Sequence, residues 1–220
     1  MTLPTAVLGS LGWAWALPMV AVGAFLWTFG EYTLHRFGMH ELNGRGILSR
    51  EHLEHHVTAS WGFDPLMMLA WLGVILVGVL GWGTLGLVLG GPVAGASLAI
   101  GWIAGYGTYE YLHARAHLVG PSSDYSRWLR KHHFHHHFGH PMSNHGVSIG
   151  LWDRVFGTLD VPEVVKVPRR MAPAWMLDAA GQLLAEHADD YALVGAVDRD
   201  ERLAALDRAR AFASLAPTAV

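Results

Sequence analysis

Two stretches of the chain carry no charged side chain: residues 1–30, ahead of Glu31, and the residues between Asp64 and Glu110. A helix that crosses a bilayer needs about 20 apolar residues. The first stretch is long enough for one crossing. The second is long enough for two, with Gly90-Gly91-Pro92 as the turn between them, because Gly and Pro interrupt helices. Spans are therefore predicted at about residues 5–33, 66–89 and 93–112. The first apolar run has no basic residue before it and exceeds the about 7–15 residues of a signal-peptide core, so it is expected to remain as an anchor.

Polar segments occupy residues 35–60, after the first span, and 113–162, after the third. With three spans, both emerge on one side of the membrane. Arg36, Arg45 and Arg50 lie in the first segment, and Arg115, Arg127, Arg130, Lys131 and Arg154 in the second. The N-terminal run and the Gly90–Pro92 turn carry no Lys or Arg. The positive-inside bias then puts the polar segments in the cytoplasm and the N-terminus outside. Residues 163–220 read differently. A linker, Val167-Pro168-Arg169-Arg170, precedes Ala-rich stretches expected to be helical at about 174–188 and 199–213. The expected fold is an all-α integral membrane protein with about three transmembrane spans and a cytoplasmic cap over residues 1–162, followed by an Ala-rich helical tail over 163–220, with no chemistry assigned to the tail.

Composition agrees with a membrane setting. Only 15% of the 220 residues are charged and 52% are hydrophobic, against about a quarter charged in a soluble domain. There is no cysteine, which excludes disulfides and thiolate metal sites. The formal charge of −3 argues against general nucleic-acid binding.

Histidine is the anomaly. There are 15, and all but His145 and His187 lie between His35 and His140. They form four clusters: His35 and His40; His52, His55 and His56; His113 and His117; His132, His133, His135, His136 and His137. Residues three and four apart share a helix face. His52 thus faces with His55 and His56, His113 with His117, and His133 with His136 and His137. An H-x-x-H-H pattern offers ligands at two slightly different angles, which suits two adjacent metals. Ten imidazoles (His35, His40, His52, His55, His56, His113, His117, His133, His136 and His137) exceed the about four to six ligands one ion takes. An internal run such as 132–137 is not an expression tag, and four clusters at helical spacing on one predicted side of the membrane are hard to obtain by chance. An all-imidazole set suits zinc, iron, copper or nickel. Zinc would give Lewis-acid chemistry, iron would give dioxygen chemistry, and the ligand type does not choose between them. His187, alone among Ala, Glu and Asp, is expected to be a solvated surface residue.

In these segments the chain resembles the fatty acid hydroxylase superfamily, which includes the sterol desaturases, and within it the fatty acid 2-hydroxylases. The carrying segments are Glu31 to His40, His52 to His56, Tyr109 to His117, and Lys131 to His137 running on to Trp152-Asp153-Arg154-Val155-Phe156-Gly157-Thr158. The resemblance covers about residues 20–160. It implies a membrane-embedded non-haem enzyme with two iron ions, dioxygen as co-substrate, and a lipid substrate in the bilayer. It implies His35, His40, His52, His56 and His136 on one metal and His55, His113, His117, His133 and His137 on the other. Zinc can replace ferrous iron during purification, because it binds nitrogen sites more tightly.

His132 and His135 stand where the family often has residues that are not ligands, so they are expected to support the ligands or lie at the surface, with His140 also off the metals. His145 stands where relatives usually place an aromatic, so a place at the substrate entrance and a polar role near the metals both stay open. His140-Pro141 is not followed by the glycines of a haem-binding cytochrome motif. Electrons are therefore expected from a separate protein, a ferredoxin or a b-type cytochrome with its reductase. Metal-bound imidazoles donate their second N–H to a carboxylate or carbonyl. Glu31, Glu51, Glu54, Glu110, Asp124 and Asp153 are the nearby carboxylates, each equally readable as a solvated charge or cap. Tyr106 and Tyr109 share a face with His113, and line an acyl tunnel or pack between spans. Trp152 is a candidate interfacial anchor.

The expected reaction is hydroxylation of an unactivated lipid C–H bond, with fatty acyl 2-hydroxylation first. A sterol or carotenoid substrate, or desaturation, keeps the same site. The reading of another class is a metal-binding or metal-transporting membrane protein. Transporter ligands lie near the bilayer midplane, whereas these histidines cluster at span ends and in the cap.

Overall fold

A computed structural model describes residues 12–62, 65 and 67–195 of the protein. The chain divides into two compact units. One holds the chain up to Gly30 together with Met68–Glu110, and the other holds Glu31–Met67 with the chain from Tyr111 onward.

The first unit is built from α1 (Ala16–Thr33), α3 (Met67–Leu76), a wide π-helical stretch Val77–Gly83 and α4 (Thr84–Leu118). The run is interrupted at Gly91, where φ is 83° and ψ is −174°. That conformation costs a residue without a Cβ little. The chain turns back there: Gly86 lies against Ala94 and Gly95, Gly83 against Gly95 and Ala99, and Gly78 against Trp102. Trp102 Nε1 donates to the carbonyl of Val74 at 3.0 Å. Contacts that spread in both directions from Gly91 define an antiparallel hairpin. Close approach continues where α1 meets α4. A Cβ at Gly101 would collide with the Val20 carbonyl, and one at Gly105 would reach Trp27. Small residues that let backbones touch are how helices associate in lipid, where no hydrophobic drive separates helix from solvent.

Two helical segments, Trp13–Glu41 and Met68–Leu118, are long and apolar enough to cross a membrane. The second has 51 residues, more than twice the about 20 that one crossing takes. Their side chains point outward to a degree that water would penalise: Leu17 is 81% exposed, Leu80 66% and Val88 76%. Tyr106 and Tyr109 pack on Trp27, with ring centroids 4.9 and 5.9 Å away, so span packing accounts for both. Residues 5–11 of the first predicted span lie outside the described residues.

In the second unit α1 opens into a π-helix over Leu34–Glu41. There follow α2 (Ile47–Thr58), the end of α4, α5 (Asp124–Phe138) and the short α6 (Leu151–Val155). Ser123 starts α5 through a reciprocal cap. Ser126 N–H donates to Ser123 Oγ at 3.2 Å, and Ser123 N–H to Ser126 Oγ at 2.9 Å.

The segment after residue 162 corrects the helical reading of 174–188. It forms strands β1 (Val165–Pro168) and β2 (Tyr191–Val194), paired in parallel with Val165 opposite Tyr191. Between them are three short 3-10 turns, Arg169–Met171, Ala174–Met176 and Ala185–His187, and a bridge between Leu177 and Leu183. Asp178 Oδ1 accepts the N–H groups of Ala180 and Gln182, both at 2.9 Å. That local bond competes with a helix and wins. The second predicted helix, 199–213, lies outside the described residues. Val165, Val167, Met176 and Tyr191 close a core around Phe134 of α5. His187 is also buried, not solvated: it is 6% exposed, with its ring 5.1 Å from that of Trp175.

Phe134 is thus the anchor between the histidine helix and the sheet. Phe134→Ala should lower stability by about 3–5 kcal/mol, read from thermal denaturation of the purified protein, with no histidine altered.

Candidate metal centre

The local structure of each element explains why these histidines meet. In an α-helix residues five apart are rotated by about 140°, so His35 and His40 could not share a face. The π-helical stretch, with its i→i+5 bonding, brings both inward, and both are buried. Helices α2, α4 and α5 contribute their i, i+3 and i, i+4 sets as the spacing predicts. Together they form two groups. His35, His40, His52, His56 and His136 bring one nitrogen each within 4.8 Å of one another, and so do His55, His113, His117, His133 and His137. All ten are buried except the half-buried His55. The membership equals the partition that the family resemblance implies. His56 and His137, one from each group, stack with ring centroids 4.1 Å apart.

Within the first group, Nε2 of His52 lies 3.0 Å from that of His35, 3.0 Å from that of His40 and 3.1 Å from that of His56. His40 and His136 approach to 3.0 Å. In the second, His55 and His113 are 3.1 Å apart and His117 and His133 are 2.9 Å apart. Imidazole nitrogens bound at about 2.0–2.1 Å to a common ion lie about 3 Å apart when at right angles. The spacing therefore fits coordination.

The tautomers also fit it. Four Nδ1 atoms face backbone carbonyls, which only accept: His35 toward His145 at 2.5 Å, His136 toward Ser143 at 2.7 Å, His55 toward Ser60 at 2.8 Å and His117 toward Ala59 at 3.1 Å. Each Nδ1 thus carries the proton, and the matching Nε2 presents a lone pair. Lone pairs pointing at other ring nitrogens about 3 Å away repel unless a cation lies between them. A proton is a poor choice. Burial drives the imidazoles of His52, His56, His133, His136 and His137 well below their usual range, reinforced by neighbouring imidazoles. Burial brings His55 down to about 4 against the pull of its Ser60 bond. The donor set suits a metal cation of the zinc, iron, copper or nickel type.

The carbonyls come from two turns with left-handed residues. Ala59 ends α2 with φ 50°, and its carbonyl and that of Ser60 meet His117 and His55. Asn144, with φ 56°, sits between the carbonyls of Ser143 and His145. Its side chain donates to the Asp160 carbonyl at 2.7 Å and accepts from Asp160 N–H at 2.8 Å. Asn tolerates this conformation better than most residues.

Asp153, fully buried, fixes the next peptides by accepting the N–H groups of His145 and Gly146, both at 2.8 Å, and the Thr158 hydroxyl at 2.8 Å. Burial alone would raise its carboxyl, but His132, His145, Gly146 and Thr158 outweigh that and hold it far below the usual carboxylate range. Asn144, Ala59 and the Ser143 and Ser60 carbonyls were not anticipated from the sequence. Asn before His-Gly was the available signal for a left-handed turn.

The remaining candidates separate. His132 stacks on Trp128 at 4.8 Å, with Nε2 3.6 Å from Asp153. His135 reaches Asp160 at 2.8 Å, and His140 and Glu54 are exposed. None of these belongs to either group of five. Glu31 holds Ser148 through its N–H at 2.7 Å and its hydroxyl at 2.5 Å. Glu110 accepts from Tyr106 at 2.6 Å, and Asp124 lies in the first turn of α5.

Comparison with known proteins agrees with the geometry. The profile of the fatty acid hydroxylase family matches residues 20–158, and the chain belongs to this family. It is 29% identical over 155 residues to dihydroceramide fatty acyl 2-hydroxylase FAH1 of Arabidopsis thaliana, covering 70% of this chain and 64% of that one. It is 32% identical to the fatty acid 2-hydroxylase of Homo sapiens, covering 63% of this chain and 38% of that one. The chain thus spans less than two thirds of these relatives. The structure of full-length scs7p, with only its hydroxylase domain visible, matches with a TM-score of 0.53 at 27% identity, over 74% of this chain and 60% of that one. Family membership and the two apolar helical segments with outward-facing side chains make this an integral membrane protein.

Two outcomes are expected. Asp153→Asn should weaken metal retention roughly 10–100-fold, as loss of a ligand-orienting partner does, measured by competition with a chelator. The histidines also set a pH dependence for the metal-free protein. Below the ordinary histidine value of 6.5 the unfolded chain takes up protons that the folded one, with His55 at about 4 and others lower, refuses. Stability must then fall as pH drops from 6.5 toward 4. A thermal melting temperature that is flat across that window would contradict it.

Proposed function

We propose that the chain is a lipid hydroxylase with two non-haem iron ions, and that its favoured reaction is fatty acyl 2-hydroxylation. The observation that carries this reading is the pair of five-imidazole groups, two members of each holding Nδ1 against a backbone carbonyl and turning an Nε2 lone pair inward. Membership of the fatty acid hydroxylase family supports the reaction class. Relatives named as dihydroceramide fatty acyl 2-hydroxylase and fatty acid 2-hydroxylase support the substrate class.

In this reading His35, His40, His52, His56 and His136 hold one ion, and His55, His113, His117, His133 and His137 the other. The iron pair supplies dioxygen reduction and C–H oxidation when two electrons arrive from outside. The chain's own residues do the rest. The backbone carbonyls orient the imidazoles, burial keeps water from the ligands, and the apolar helices accept the acyl chain from the bilayer. In this reading Met68–Leu118 crosses twice, for three crossings in all, which the hairpin at Gly91 supports, and the histidines lie on the cytoplasmic side, which the distribution of basic residues supports. A ferredoxin, or a b-type cytochrome with its reductase, delivers the electrons.

Lipids from cells expressing the chain, compared by mass spectrometry with cells expressing His136→Ala or His117→Ala at equal level, test this. New 2-hydroxy acyl species are expected only with the unaltered chain, and each variant should lose metal. A hydroxylated sterol or carotenoid would move the substrate and keep the chemistry. Full activity in His117→Ala would sink the ligand assignment.

A further inference from the structure

His145 is the histidine that the two groups of five leave over at the centre. It is fully buried. Its ring lies 5.5 Å from that of His136, 5.6 Å from that of His35 and 5.8 Å from that of His40, edge-to-face in each case. Those are three of the five members of the first group. Both of its ring nitrogens are buried with no hydrogen-bond partner. Among the described residues only one other histidine has that property, His137, which is itself a member of the second group. A packing histidine in a dry interior finds a partner for at least one nitrogen, because an unmet polar atom there is costly. An imidazole with none, packed against three members of the first group, has a nitrogen available to a ligand.

The surroundings say which edge faces the group. Asp153 Oδ1 lies 3.7 Å from His145 Nδ1 and also accepts the backbone N–H of the same residue at 2.8 Å. The carboxylate therefore holds the His145 backbone, sits behind the Nδ1 edge of the ring and leaves Nε2 on the far edge. A carboxylate behind one imidazole nitrogen, with the metal before the other, is the usual arrangement of metal-bound histidine. The main chain is pinned as well, since the His145 carbonyl accepts from His35 Nδ1.

We propose that His145 gives the His35–His136 group a sixth imidazole nitrogen, so that the two metal positions differ in kind: one faces six histidines and the other five. This rests on the metal-centre reading above. Asp153 is then the positioning residue for His145. The extra donor belongs to the metal of the first group alone.

Cobalt(II) loading tests it without reference to turnover. The full chain, purified in detergent, stripped and reloaded with Co²⁺, is compared with His145→Phe and His145→Gln by visible absorption and by release to a chelator. Two cobalt ions per chain are expected throughout. In His145→Phe the bands of one ion should shift, and that ion should leave about tenfold or more faster or at lower chelator, while the other matches the unaltered chain. His145→Gln, which keeps a polar group of similar reach, should fall between them, and it carries the comparison if the Phe variant does not fold. Spectra and release identical to those of the unaltered chain in both variants would overturn the sixth nitrogen and leave the ten-histidine centre standing. An unaltered chain that takes up no cobalt would overturn the centre and this inference together.

Discussion

Everything in the histidine-bearing unit depends on one constraint: backbone carbonyls hold the Nδ1 protons of His35, His55, His117 and His136, which obliges their Nε2 lone pairs to face inward. Without those four bonds the rings could rotate, change tautomer or find water. With them, ten nitrogens are committed to two small volumes in a medium that disfavours protonation. The arrangement is costly for the protein alone and, in the proposed reading, is made favourable by two cations. On that reading metal binding and folding are coupled through the same atoms.

The rest of the unit is built to supply those carbonyls. Ala59 and Asn144 adopt left-handed conformations that a helix end and a tight turn allow. Asp153 gathers two consecutive N–H groups and a hydroxyl, which ties His145 and Gly146 to Thr158. Behind α5, the small parallel sheet packs on Phe134 and holds the helix that carries three of the ten grouped histidines. Lys131 joins the same face to the Glu163 carbonyl and to Asp190, both at 2.8 Å. The segment after residue 162 is therefore a buttress for the centre.

Much of this was legible in the sequence where a repeat of side chains matches a repeat of backbone. The pairs at three and four residues in α2, α4 and α5 needed only helical geometry. The charge-free stretches and Gly90-Gly91-Pro92 marked the apolar helices and their reversal. His35 and His40 were legible as candidates but not as neighbours, because their spacing of five works only in a π-helix. The C-terminal segment misled because alanine favours helix while Asp178, Gly181 and Pro173 favour turns, and tertiary packing on Phe134 decided between them. His187 looked solvated for the same reason, since Trp175 and Tyr191 close over it only when the turns and β2 form. The carbonyl ligands of Nδ1 have no side-chain signature at all.

The most direct measurement of the central claim is metal stoichiometry together with X-ray absorption on the full chain purified from iron-supplemented cells. The account predicts two metal ions per chain, each with a first shell dominated by imidazole nitrogen at about 2.0–2.2 Å. One ion or none, or a shell dominated by carboxylate oxygen, would contradict it.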